Sequence, residues 1–412
     1  MEKEKENNLK FPLDFLWGTS TASYQIEGDN SNSDWWQWED KGRAKDKSGR
    51  ACDYWHKYKS DHDLLEELGV NSFRLSLEWA SIEPQEGVFS KDGINHYRNI
   101  LEDLKRRNMK TTVTLWHWTS PIWFQSSYGF HNKKSVEIFN RYSQKVVEEL
   151  GDLIDIWVVF NEPMVPLGMG YLGGVFPPGC KNPFKFYNAL NNISKAYKNV
   201  YAAIHQKYPN ASVGISYLYN WYEKADSKMV NLLNKISQWY RIDLLGNKIK
   251  GYQDYLGIDY YRIGKIKFDW RKIRLDTKSQ IYFGFTIEED EKHPMKWISY
   301  SEGIYRVLKE AQEKYNLPIY VLENGLPTGE GLEDEIRIKF IQEHLFYIKR
   351  AIEEGVTVQG YFYWSLMDNY EWLYGYAPRF GLIEIDYKTL ERKPRKSFYE
   401  YKKIIENSKN IF

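Results

Sequence analysis

Cysteine is nearly absent: Cys52 and Cys180 are the only two in 412 residues, and they form no CxxC pair. That excludes a disulfide-stapled scaffold and favours a reducing compartment. No run approaches the roughly 18 apolar residues needed to span a membrane. The opening stretch, MEKEKENNLK, is charged and has no apolar centre, so a signal peptide is not expected and a cytoplasmic location is. Net charge is also lacking, at +1, which points away from nucleic acid, acidic polymers and anionic membranes as partners. The eight histidines form no HExxH or H-x-H cluster. There is no GxGxxG after a strand, no P-loop and no GxSxG elbow. Neither metal nor cofactor is expected.

What the chain has in excess is aromatic: 16 Trp, 33 Tyr and 20 Phe. Flat rings suit the C–H faces of sugars and carry polar tips for hydroxyls, although a Tyr- and Trp-rich core would give the same composition.

Strand-length apolar runs recur along the chain at 15–21, 70–77, 110–118, 155–163, 212–219, 254–261, 318–325 and 358–366. Segments with helical spacing lie between them. In one, Tyr54, Tyr58, Leu64, Leu65 and Leu68 share a face and Gly69 ends the helix. Eight buried strands alternating with helices predict an α/β fold, a single (β/α)8 TIM barrel over residues 11–412 behind a tail at 1–10. The longest weakly patterned stretch, roughly 263–299, is expected to be an active-site loop after the sixth strand.

In such a barrel, reactive groups sit where strands end and βα loops begin. The polar residues there are Gln25 and Glu27, His117, Asn161 and Glu162, Asp259 and Tyr261, Glu323 and Asn324, and Trp364. Carboxylates at otherwise apolar strand ends are costly unless paired or used. Glu162 and Glu323, at the fourth and seventh ends, are the pair that glycoside hydrolysis requires.

Four motifs carry a family resemblance: FLWGTSTASYQIEG from residue 15, VVFNEP from 158, YVLENG from 320 and YFYWSLMDNYEWLYGYAPRFGLIEIDY from 361. In this order they resemble glycoside hydrolase family 1, the β-glucosidase and β-galactosidase family, from residue 11 to residue 401. The resemblance implies a retaining mechanism, with Glu162 as acid/base, Glu323 as an ionised nucleophile and carboxyl groups roughly 5 Å apart. It implies that Arg74 lies beside the nucleophile, that Tyr261 hydrogen-bonds it, and that Asn161 meets the sugar 2-OH. It also implies that Gln25, His117, Trp118, Glu371 and Trp372 bind hydroxyls. Trp364 would lie under the ring, and Phe380 would line the 6-position. The implied partner is a small molecule, a β-glucoside or short β-linked oligosaccharide; no oligomeric state is implied.

The chain departs from the family pattern in places. Asp259 stands where Asn is usual, adding a third carboxylate that would raise a neighbouring Glu unless it pairs with Arg74 or a hydroxyl. HWTSP and MKWISYSEG also differ from the commoner forms, and the chain is short, which suggests trimmed βα loops and an open aglycone side. Two rival functions were weighed. A 6-phospho-β-glycosidase conflicts with Glu371, which would repel phosphate, with Pro378 where Lys would help, and with Phe380, which has no hydroxyl. A non-catalytic sugar-binding barrel conflicts with the presence of both Glu162 and Glu323.

Overall fold

A computed structural model describes residues 11–275, 281–287, 289–290, 294–329 and 331–409. The expected tail, 1–10, lies outside the described residues. Eight parallel strands form a closed barrel in chain order: β1 (Leu16–Ser20), β2 (Ser72–Ser76), β3 (Lys110–Trp116), β4 (Ile156–Asn161), β5 (Ser212–Leu218), β6 (Leu256–Asp259), β7 (Ile319–Asn324) and β8 (Val358–Trp364). Each falls inside one of the eight apolar runs. β8 closes on β1, with Ser20 opposite Trp364.

The intervening helices are cut by ordinary signals. Ser90 caps Lys91–Arg106 by accepting from the Gly93 N–H, and Asn182 caps Pro183–Lys207 in the same manner, with Pro183 in the first turn. Gly69, at φ 80°, ends Tyr54–Leu68, a left-handed position that favours glycine. On that helix the buried face differs from the expected one. Tyr58 and Leu64 are only partly covered, whereas Asp61 and His62 are fully buried. Asp61 accepts from the Arg392 guanidinium, and His62 bridges the Tyr54 hydroxyl and Asp103, so both polar groups are satisfied.

Two apolar layers hold the barrel. Helices pack on its outside through a large cluster that includes Phe73, Val113, Trp157, Ile215, Val321 and Tyr361. Its lower interior is filled by Ile156, Val158, Tyr255, Tyr320, Leu322 and Phe362. Gly18 makes room for Phe362, whose ring lies 2.3 Å from where a Cβ would stand.

The segment expected to be an irregular loop contains an antiparallel hairpin, Ile266–Leu275 paired with Ile281–Ile287. Residues 276–280, 288 and 291–293 of that segment lie outside the described residues. Among the described residues, no helix is long and apolar enough to cross a membrane. Cys52 and Cys180 are free thiols.

Candidate active site

The upper rim of the barrel is shaped by irregularities in strand pairing. Register shifts fall between Val321 and Glu323 against β6, between Val321 and Asn324 against β8, and between Val158 and Asn161 against β5. Such bulges re-aim side chains, here those at the ends of β4 and β7. Glu162 follows β4 at φ 38°, a strained conformation for a non-glycine residue; Trp118 (φ 73°) and Trp372 (φ 52°) share that strain at the same rim.

Glu323 is held on both oxygens. Arg74, buried on β2, donates from Nη1 to Oε1 at 2.6 Å, and the Tyr261 hydroxyl donates to Oε2 at 2.6 Å. The other Arg74 nitrogen, Nη2, donates to Asn161 Oδ1. The Asn161 amide nitrogen therefore donates to His117 Nε2, at 3.1 Å. Burial and the Arg74 charge hold His117 well below the usual imidazole range, so the ring is neutral with its proton on Nδ1. Among the described residues, no group accepts that proton.

Glu162 differs from Glu323. Its Oε1 is buried with no protein partner, and burial pushes its carboxyl well above the usual range, reinforced by Asp259 and then Glu323. Oxygens of Glu162, Asp259 and Glu323 all lie within 4.8 Å of one another. Asp259 accepts from Ser216 Oγ and hydrogen-bonds Glu162, and its carboxyl is also raised, chiefly by burial and then by Glu323. Its expected alternative partner, Arg74, is ion-paired with Glu323 instead. Among the described residues these three carboxylates are the one cluster close enough to ligate a metal ion. A guanidinium already against Glu323 opposes a second cation there.

Above them opens a cavity of about 490 Å³. Every residue assigned to hydroxyl binding or the ring platform lines it: Gln25, His117, Trp118, Asn161, Trp364, Glu371, Trp372 and Phe380. Gln25 spends its amide hydrogens on Asn369 Oδ1 (2.9 Å) and the Tyr370 carbonyl (2.8 Å), which leaves Oε1 as an unpartnered acceptor. Glu371, beside Trp364 Nε1 at 3.4 Å, is pushed up to about 8 by burial, so near neutrality it can donate as well as accept. The rings of His117, Trp364 and Trp372 lie nearly parallel, with interplanar angles of 20° and 15° to His117.

Comparison with known proteins agrees with this geometry. The description "Glycosyl hydrolase family 1" matches residues 7–244 and 243–410. The chain belongs to glycosyl hydrolase family 1. Beta-glucosidase A of Thermotoga maritima is 30% identical, over 98% of this chain and 99% of that protein. Beta-glucosidase 47 of Arabidopsis thaliana is 32% identical, over 98% and 86%. Among solved structures, a beta-glycosidase from Pyrococcus horikoshii is 38% identical with a TM-score of 0.88, covering 98% of this chain and 96% of that one. The Thermotoga maritima beta-glucosidase solved with deoxynojirimycin is 29% identical with a TM-score of 0.87, covering 97% and 99%.

The family 1 pocket is braced from below. Arg395 grips Asp368 with two bonds of 2.9 and 2.8 Å, both side chains being fully buried, and Asp368 also accepts from the Gly381 N–H. This fixes the loop after β8 that carries Glu371, Trp372 and Phe380. Glu27, also at a strand end, stands outside the cavity lining. It accepts from the Tyr97 hydroxyl at 2.7 Å and from Asn30. Asn324 likewise bonds the Tyr260 carbonyl and the Tyr361 hydroxyl and supports the strands. Residues that sequence reasoning missed are Ser216, against Asp259, and Asn220, Tyr240, Arg241, Arg262, Met295 and Trp297 in the wall. A Ser or Asn at a strand end, or an Arg on a helix, carries no local signal of a site. Trp297 belongs to the stretch expected as an active-site loop.

Proposed function

We propose that the protein is a retaining β-glycosidase, carried by one barrel domain over residues 11–412 and working in the cytoplasm. It hydrolyses terminal, non-reducing β-D-glucosides, and also β-D-galactosides and β-D-fucosides. The observation that carries this reading is the unlike treatment of two adjacent carboxyls: Glu323 tied on both oxygens to Arg74 and Tyr261, Glu162 beside the acid Asp259 with its Oε1 unbonded among the described residues, and raised. Glu162 protonates the glycosidic oxygen while Glu323 attacks the anomeric carbon, forming a glycosyl-enzyme. Glu162, now ionised, removes a proton from water, which attacks the same carbon and releases Glu323. Closest oxygens within 4.8 Å suit this double displacement, whereas inverting pairs stand roughly 6.5–9.5 Å apart to admit water.

The second Asn161 amide hydrogen is left to donate to the 2-OH, and that bond strengthens as the oxocarbenium-like state develops. Gln25 Oε1, His117 Nδ1–H and Glu371 supply an acceptor, a donor and a group able to do either. Such a set tolerates both 4-epimers, and Phe380 makes no demand for a 6-OH. The relatives' names bring glucosides to the front of this range. A 6-phosphate would meet Glu371 and Phe380, neither of which receives an anion.

The test is a panel of aryl β-glycosides with wild type, Glu323→Ala and Glu162→Ala. The first variant is expected to lose all activity. In the second, azide is expected to restore turnover of activated substrates, because a small anion attacks the glycosyl-enzyme without base help. Near-normal rates for Glu323→Ala would overturn the mechanism.

A further inference from the structure

The active-site cavity shares one wall with a second cavity of about 310 Å³, and Asn220, Tyr240, Arg241 and Arg262 line both. None of Gln25, His117, Trp364 or Glu371 reaches the second cavity. Arg241 approaches Glu162 closely enough for its charge to act on that carboxyl, and the two also border a small common space. Because Glu162 protonates the leaving oxygen in the function proposed above, this wall faces the leaving group.

Both arginines are half-buried, and among the described residues no acid stands within ion-pair distance of either; Glu162 meets Arg241, and Glu289 meets Arg262, only through charge at longer range. Arg241 Nε donates to the Tyr222 hydroxyl at 3.2 Å, and the Arg262 guanidinium lies 5.3 Å from the Trp297 ring centre. The acids around them are engaged elsewhere. Glu289 pairs with Lys296 at 3.2 Å, Glu223 with Lys265 at 3.0 Å, and Asp243 with Lys314. Burial, and then Arg241, holds Arg262 below its ordinary range. Arg241 and Arg262 oppose each other's charge, and an anion placed between them relieves that repulsion.

The scaffold holds them in place. Arg241 stands on a π-helical turn, Trp239–Asp243, a geometry that recurs at functional sites. Tyr222 and Gly264 sit on paired short strands, and a Cβ at Gly264 would stand 2.4 Å from the Tyr222 ring.

We propose that Arg262 and Arg241 form an anion subsite, so that the enzyme favours β-glucosides whose aglycone bears a carboxylate. The guanidinium forks match a planar carboxylate, and the selection is by charge at an otherwise open mouth. The claim rests on the β-glycosidase reading for the direction of the leaving group.

The test compares 4-carboxyphenyl β-D-glucoside with its methyl ester. The quantity read is the ratio of kcat/KM values in wild type against the same ratio in Arg262→Gln, which cancels the unequal leaving abilities. The ratio is expected to fall about tenfold in the variant, the loss of one charge-assisted contact. In wild type it is expected to fall as salt rises. An unchanged ratio in both Arg262→Gln and Arg241→Gln would overturn the subsite. Calorimetric binding of the same two compounds to Glu323→Ala protein supplies a readout free of turnover. If neither compound is hydrolysed by wild type, the glycosidase reading fails, and the binding ratio still decides the subsite.

Discussion

Replacing Asp259 with Asn keeps the shape of the side chain and removes a buried acid from beside Glu162. Asp259 is among the groups raising the Glu162 carboxyl, so its loss lets that carboxyl release its proton more readily. A general acid must be protonated in the free enzyme, so the alkaline limb of the kcat/KM profile is expected to move to lower pH in Asp259→Asn. A limb that stays in place would mean that Asp259 carries no charge in the free enzyme. Glu162 and Glu323 were legible at this scale because a carboxylate ending an apolar strand is rare. Ser216 was not, because its role exists only through the neighbouring strand, where the β5–β6 pairing sets Leu218 opposite Asp259. Arg241 and Arg262 were illegible for another reason: the wall they share is formed by two segments that meet only in the fold.

The loop after β8 depends on a buried ion pair more than on its own sequence. Arg395→Ala would leave the fully buried Asp368 without its two-bond partner and with Arg379, at 3.3 Å, as its remaining guanidinium. Removing one member of such a pair is expected to destabilise the fold by about 3–5 kcal/mol, measured by denaturant unfolding. Because Glu371, Trp372 and Phe380 ride on that loop, KM should rise as well; a variant with unchanged KM would detach the brace from the site. The eight barrel strands were legible as buried apolar runs. The hairpin after β6 was harder to read: IKFDW and FGFTI each alternate strictly, but the adjacent charges Arg271 and Lys272 and the apolar run Ile281–Phe283 blur the pattern. The bulges that aim Glu162 and Glu323 have no sequence signature at all.

For the whole molecule, the buried acids outside the mechanism set a pH dependence of stability. Burial raises Glu27 and Glu371 to about 8 and Glu78 to about 7, above their unfolded values near 4.5. The folded state therefore holds more protons than the unfolded chain, and this contribution is lost as pH rises toward those values. His62 and His96, lowered to about 4, act in the opposite sense, but only below about 6.5. Between about pH 6.5 and 8 the acids prevail, so the unfolding free energy is expected to fall by up to about 1.4 kcal/mol per pH unit for each proton, and Tm to fall with it. Glu27→Gln should flatten the curve, and a Tm that rises across this interval would contradict the assignment. Barrel closure at this scale was legible because eight runs and intervening helices admit few other architectures.

The central claim is that Glu323 becomes covalently glycosylated while Glu162 serves as acid and base. Intact mass and peptide mapping after incubation with a 2-deoxy-2-fluoro-β-glucoside bearing an activated leaving group test it directly, since the fluorine slows release of the intermediate. One added fluoroglucosyl group per chain is expected, located on Glu323. An adduct on Glu162 or Asp259, or turnover with no trapped intermediate, would contradict it.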